Sequence, residues 1–214
     1  MIRVSKNTNA PQSLSATRQY DGEDVKAELL ADHRNKCYLC ERTRYTDFAI
    51  EHYKSETNNP ELIQDWNNLF LACSYCNGKK LHNFDDILNP LSVNIEDVIE
   101  QKVDFVNMQA IFNCKVEETL SHTKTIELLQ RIFNGTNSLR KIKENNFFNY
   151  LLSKINIFQQ LVNNYLLNPT VQTEEEVRKE LDIDREFLGF KYWIIKNNNR
   201  LYSVFSNDII WNKV

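Results

Sequence analysis

No stretch of this sequence approaches the roughly 20 consecutive apolar residues that a bilayer-spanning helix needs, so none of its 214 residues reads as part of a membrane span. The opening segment, MIRVSKNTNAPQSLSATRQY, has no apolar h-region and no small-residue cleavage pattern. A secretory leader is therefore not expected, and the protein reads as cytoplasmic. An excess of positive charge is missing too: 26 Lys and Arg against 29 Asp and Glu give a formal charge of −3. A protein that holds nucleic acid alone and non-specifically is usually basic, because phosphate contacts carry much of the affinity. Any nucleic-acid contact here must come from a local patch or from a partner. Self-similarity at a period of roughly 20 to 50 residues is absent, which excludes a repeat array. Glycine is scarce, at 4 residues, while asparagine is abundant; the asparagine bias carries no functional reading.

Hydrophobic residues make up 42% of the chain and aromatics 11%, enough for a sizeable core. The length fits one medium domain, or a small domain with a larger helical companion. Residues 1–20 are polar and read as an extended arm. DGEDVKAELLADHRN (21–35) reads as a helix with Asp21 as N-cap and Ala27, Leu29 and Leu30 on its apolar side. TDFAIEHY (46–53) reads as a short strand, residues 54–66 as a polar connection, NNLFLAC (67–73) as a run into a turn, and SYCNGKKLHNF (74–84) as the start of a short helix. Two strands are expected near 101–107 and 109–115. Helices are expected over 121–134, ended by Gly135, over 138–167, capped by Ser138, and over 173–183 with a threonine cap. The tail from 187 to 214 is aromatic and β-prone and should pack back on the domain. The fold class is α+β and mainly helical.

Five cysteines in a chain expected to stay reduced call for a reason other than disulfides. Cys37, Cys40, Cys73 and Cys76 form C-x2-C twice, 32 residues apart. Two-residue spacing lets both thiolates of a turn reach one ion at about 2.3 Å, and two such knuckles complete a tetrahedral zinc site. Four thiolates leave no open coordination position, so that Zn2+ is structural. A chance set of buried thiols is the competing reading, and a redox pair is another. Cys114 reads as a small hydrophobe in a strand.

Glu51 and His52 end the apolar stretch FAIEH, Asn68 opens NLFLAC, and Asn77 and Lys80 follow the fourth cysteine as CNGKK. A carboxylate and a carboxamide oxygen suit a hard cation such as Mg2+, and a neutral histidine suits deprotonation of water. Together they describe metal-assisted phosphodiester hydrolysis. Successive strand residues face opposite ways, so a bend at the strand end would be needed to bring both Glu51 and His52 to one site.

The order C-x2-C, I-E-H, N-L, C-x2-C-N-x-x-K over residues 37–80 resembles the HNH endonucleases, whose ββα-metal core is often held in a four-cysteine zinc frame. The resemblance implies His52 as general base and Asn68 as the central asparagine that holds the loop. It implies Glu51 and Asn77 as ligands of a catalytic Mg2+ or Mn2+, and Lys80 as a phosphate contact or a brace for the helix; Lys79 is a candidate phosphate contact beside it. Glu stands where many members have Asp, and Asn where many have His. CYLCE, IEHYKSE and DWNNLFLACSYCNGKK, followed by TKTIELLQRIFNGTNSLRKIKENNF, are more narrowly similar to the PtuB-like HNH subunits of Septu-type and retron-linked anti-phage systems. That likeness implies an ABC/OLD-type, PtuA-like ATPase partner, and with a retron a reverse transcriptase and its RNA or DNA. The implied substrate is nucleic acid, with DNA favoured.

The expected organisation is an arm over 1–20, an HNH nuclease domain over 21–90, and a mainly helical region over 91–214 that offers a partner interface. The bland alternatives are a structural His52, an Asn77 that only caps its helix, a solvated Lys79, and surface positions for His33, His82 and His122. RKIK (140–143), with Arg131 and Lys154, is either a solvated basic face or a nucleic-acid contact. The stripe Phe147, Leu151, Ile155, Phe158, Leu161, Val162 and Leu166 reads as packing. A non-catalytic four-cysteine module that binds nucleic acid or protein remains the competing function.

Overall fold

The computed structural model describes residues 1–16, 19–43, 47–137 and 139–211. In chain order, the first elements are α1 (Gln12–Ala16), α2 (Glu23–Asp32), β1 (Phe48–His52), β2 (Leu69–Cys73) and α3 (Ser74–Lys80). Then come α4 (Ile95–Val98), β3 (Ile99–Asp104), β4 (Gln109–Cys114), α5 (Leu120–Asn134), α6 (Ile142–Leu167), α7 (Val171–Leu181), α8 (Leu188–Lys196) and α9 (Asn199–Phe205). The architecture is α+β and mainly helical, with two small antiparallel hairpins.

In the first hairpin Phe48 pairs with Cys73 and His52 with Leu69, in unbroken register. Pairing partners share a face, and neighbours alternate. One face therefore carries Ile50, His52, Leu69 and Leu71, and joins a cluster with Leu14, Val25, Leu29 and Trp66 around α1 and α2. The opposite face carries Ala49, Glu51, Phe70 and Ala72 and meets the first cysteine turn and α3. β2 is buried at all five positions, which its composition, LFLAC, allows because apolar groups are presented on both sides.

The second hairpin, β3–β4, lies between α5 and α8. Phe112 stands 5.6 Å from Phe133 and 5.8 Å from Phe190, ring centre to ring centre. α6 links two cores: Phe147, Phe148, Leu151 and Ile155 enter the larger one, and Phe158, Val162 and Tyr165 enter a second core with α7, α8 and α9.

Several local expectations change. The N-terminal segment is no free arm: Met1, Ile2 and Val4 are buried, and the Val4 N–H donates to Pro90 O at 2.9 Å. The larger apolar core takes residues from both sides of position 90, so packing does not break at the expected domain boundary. α2 starts after Gly22 without a side-chain cap and buries Val25 and Leu29. Asp21 is not its cap, and Ala27 is exposed. α7 is capped by Thr170, three residues earlier than a start at 173 implies. The expected Ser138 cap, and Thr46 at the start of the first strand, fall outside the described residues. His33 is buried, not on the surface.

The tail is helical, against its β-prone composition. The reason is tertiary. The carboxylate of Glu41 accepts from the N–H of Leu188 at 2.7 Å and of Gly189 at 3.1 Å, which caps the N-terminus of α8. Gly189 has no Cβ, and a Cβ there would collide with the side chain of Gln101. Asn198 then caps α9 through Arg200 N and Leu201 N.

Candidate active site and zinc frame

The four thiols come from two turns separated by β1, a loop and β2. The Tyr38 N–H donates to Leu71 O at 3.0 Å, which pins the first turn to β2. Cys73 ends β2, and Cys76 lies in the first turn of α3. The ligand atoms of Cys37, Cys40, Cys73 and Cys76 all lie within 4.8 Å of one another, and all four residues are buried. Cys40 Sγ and Cys73 Sγ are 4.0 Å apart. Sulfurs at about 2.3 Å around a tetrahedral ion stand roughly 3.8 Å apart, so the donor set fits zinc. Burial pushes the Cys40 and Cys76 thiols well up. Thiolates therefore coexist there only with a cation to neutralise them.

α3 begins directly after Cys73 and runs back along the hairpin, so its end reaches the His52 end of β1. Almost every residue of this short helix has a different neighbour. Tyr75 stacks on Phe147 at 4.6 Å and donates to Ile132 O at 2.8 Å. Lys79 pairs with the buried carboxylate of Glu144. The Lys80 side chain is fully buried; its Nζ lies 2.7 Å from Glu51 Oε1, 3.1 Å from His52 O and 4.0 Å from Asp85 Oδ1. Asn77 is half-buried, and its side chain makes no hydrogen bond among the described residues. Gly78 faces open space.

Of the two roles expected of Lys80, its contacts are those of a brace: the ammonium is sealed inside, between β1 and α3. Glu51 does not offer a free carboxylate to a cation. Its Oε1 is taken by Lys80, its Oε2 accepts from the Tyr38 hydroxyl, and the residue is buried. Burial raises its carboxyl above the ordinary range, against the lowering influence of Lys80 and Tyr38. A divalent cation at Glu51 would meet the Lys80 ammonium at close range. The residues as arranged do not fit a catalytic metal there. Among the described residues the four-cysteine cluster alone groups three or more metal-binding side chains.

His52 sits on the other face of the hairpin, because the strand stays regular and no bend turns it toward Glu51. Its Nε2 is 3.0 Å from Ile63 O, and its Nδ1 is 2.8 Å from Glu56 Oε1. The Tyr20 ring meets it edge-on at 4.8 Å. Both polar partners present acceptor oxygens to the ring. The backbone carbonyl is fixed, whereas the Glu56 side chain is about half exposed, at 47%, and can swing away. Asn77 is not among the partners of His52.

Asn68 is buried and holds the loop between the strands. Its Oδ1 accepts from Lys54 N at 2.7 Å, and its Nδ2 donates to Lys54 O at 3.0 Å and Leu62 O at 3.1 Å. Asp85, which nothing in the local pattern marks, holds the other side of the same loop. It accepts from Ser55 N, Ser55 Oγ, Asn58 Nδ2 and Asn59 Nδ2 at 2.8–3.1 Å. Burial raises the Asp85 carboxyl, but Asn58 and Ser55 more than offset this and hold it low. Asp85 lies 26 to 30 residues from these partners, so no sequence spacing could have found it. Glu56 was equally hidden, although its i,i+4 distance from His52 is a usable signal once the backbone turns there.

Residues 37–83 match the family model described as HNH endonuclease. The segment is an HNH-family segment. Over 130 aligned residues the chain is also 27% identical to a Bacillus thuringiensis protein named Septu protein PtuB, with 50% of each chain covered. It is thus PtuB-like over half its length, and it spans about half the length of this curated relative. The HNH segment holds all four thiols, the first hairpin and α3; Tyr20 and Asp85, which brace its loop and histidine, lie outside it.

Proposed function

We propose that the chain hydrolyses phosphodiester bonds of nucleic acid and that His52 is its general base. One observation carries this reading: inside an HNH-family segment, the His52 ring is held at the end of β1 by the Ile63 carbonyl. Ile63 O fixes the Nε2–H tautomer and the ring plane. With its Nε2–H held on Ile63 O and Nδ1 unprotonated, the ring takes the proton of an attacking water on Nδ1 once Glu56 swings away. Asn68 and Asp85 keep the loop that carries Glu56 and Ile63 in place. The zinc frame, when loaded, contributes folding energy and no open ligand position. The resemblance adds Mg2+ or Mn2+ as catalytic ions, with Glu51 and Asn77 as ligands. The Glu51–Lys80 pair speaks against that ligand set, and no step is drawn through such an ion.

The likeness to Septu protein PtuB supports a place in anti-phage defence, with the PtuA-like ATPase as partner. The charge of −3 is consistent with help from a partner in holding nucleic acid. A reverse-transcriptase partner gains no support from that likeness. DNA is the favoured substrate.

A second reading is favoured by one specific feature, the engaged Glu51: a zinc module that binds nucleic acid without cutting it. His52→Ala separates the two. Loss of a general base should lower cleavage by about 10²- to 10⁴-fold, with zinc content and melting temperature unchanged. Cleavage at the wild-type rate would remove His52 from the chemistry, and absence of cleavage by wild type with its partner would favour the binding module.

A further inference from the structure

Lys79, Arg131, Lys141 and Lys143 line an open groove of about 770 Å³ between α3, the end of α5 and the start of α6. We propose that this groove holds the phosphate backbone of a nucleic acid, as an anchoring subsite away from His52. The proposal rests on the nuclease reading for its substrate class, and adds where that substrate is gripped.

The charge is the first argument. Four cationic side chains face one carboxylate, Glu144, giving the lining a formal charge of +3 in a chain of −3. Glu144 is already used: it pairs with Lys79 and accepts from Lys141 N at 2.8 Å. Among the described residues Arg131 and Lys143 make no salt bridge, and Lys141 and Lys143 are exposed. Lys141 stands one turn from Glu144 and shares its charge with Lys79, whereas Lys143 has no acid one turn away. The second argument is Arg131. Its Nε is buried and has no hydrogen-bond partner, and its guanidinium lies 5.9 Å from the Phe84 ring centre. A buried donor beside this groove, left unsatisfied, costs stability unless a ligand acceptor completes it.

Helix direction is the third argument. α6 has 26 residues, and its N-terminus lies at the groove, where the Glu144 carboxylate takes the Lys141 N–H and the helix dipole adds positive potential. The groove's cations come from three elements. That suits a run of phosphates better than a single small anion. The groove also corrects the basic face expected from sequence. Lys154 pairs with Glu186 at 3.3 Å, and Arg140 covers the Phe148 ring at 3.8 Å and bonds Asn134. Only Arg131, Lys141 and Lys143 of that set open on the groove.

The test uses the full chain, labelled mixed-sequence single- and double-stranded DNA and matching RNA, and a salt titration of binding. Replacing Arg131, Lys141 and Lys143 together by Gln should reduce the slope of log affinity against log salt by roughly 2 to 3. Zinc content and melting temperature should hold. Should the triple variant fold poorly, Lys143→Glu alone, at an exposed position, should weaken binding and lower the slope. An unchanged affinity and slope would overturn the proposal, as would failure of wild type to bind any of these nucleic acids at low salt. If the variant instead lost only its association with an acidic protein partner, the groove would be a protein interface and the proposal would fall. His52→Ala should bind like wild type. Wild type that binds but never cleaves, even with its partner, would sink the nuclease reading while leaving the salt test of the groove intact.

Discussion

Glu51 and His52 are neighbours in sequence and serve opposite faces of one hairpin. Glu51 belongs to the buried side, with Lys80, Tyr38 and the cysteine turns; His52 belongs to the side of α1 and α2. The pair Glu51–Lys80 is a desolvated ion pair with a further hydrogen bond at each end, so removing one partner strands the other. Lys80→Met should therefore cost about 3–5 kcal/mol, read as a lower denaturation midpoint. Adding Glu51→Leu to it should recover part of the loss, because an apolar pair leaves no uncompensated charge. Equal destabilisation by Lys80→Met and Lys80→Arg, or none by either, would show that the pair does not hold β1 to α3. The chemistry-bearing residue types were readable from CNGKK and FAIEH. What each faces was not, because adjacent residues of one strand cannot share a face without a bend, and whether a strand bends is decided by its partner.

At the scale of elements, α3 is seven residues long, too short to be stable on its own. It stands because Cys76 enters the metal frame, Tyr75 reaches α5 and α6, Lys79 reaches α6 and Lys80 reaches β1. Cys73→Ser should thus lose zinc and also the cooperative melt, since binding energy of a structural zinc is folding energy. A strong chelator should lower the melting temperature of wild type in the same way. A folded, zinc-free Cys73→Ser protein would contradict the structural role. The two C-x2-C turns were the most legible feature of the chain, because the spacing follows from the size of the ion. The long helix α6 was equally legible from its period, with Phe147, Leu151, Ile155, Phe158 and Val162 all buried. The tail was misread: Phe, Tyr, Trp and Ile favour strands when one face is solvated, but α8 buries most of its residues, and a helix presents them on all sides to a surrounding core.

Across the whole molecule, distant segments are joined through a few buried polar groups. Glu41, next to Cys40, caps α8. Glu100 on β3 bonds Asn113 of β4 at 3.0 Å and Asn197 after α8 at 3.1 Å, and pairs with Lys102 at 2.7 Å. Burial raises the Glu100 carboxyl, but Lys102, Asn113 and Asn197 outweigh this and lower it to about 2, from an ordinary 4.5. A carboxylate depressed on folding stabilises above its unfolded pKa, and that contribution is lost as pH falls through the folded one. Wild type should therefore lose stability between about pH 4.5 and about pH 2, and Glu100→Gln should be less stable at neutral pH with a flatter acid limb. Parallel acid limbs for the two proteins would show that Glu100 does not tie the tail to β3.

The amino-acid sequence alone determined the zinc frame, the HNH order of residues, the second hairpin and the helical periods. Each of these depends on spacing along the chain, which sequence states directly. The tertiary structure decided which cations are buried and which are free, that His52 meets Glu56 and Ile63, and that the tail is helical. It also set Lys79 beside Lys141 and Lys143, more than 60 residues away, to shape one groove. Those outcomes depend on which surfaces meet, and a side chain's charge, exposure and partner follow from the neighbour that folding brings to it.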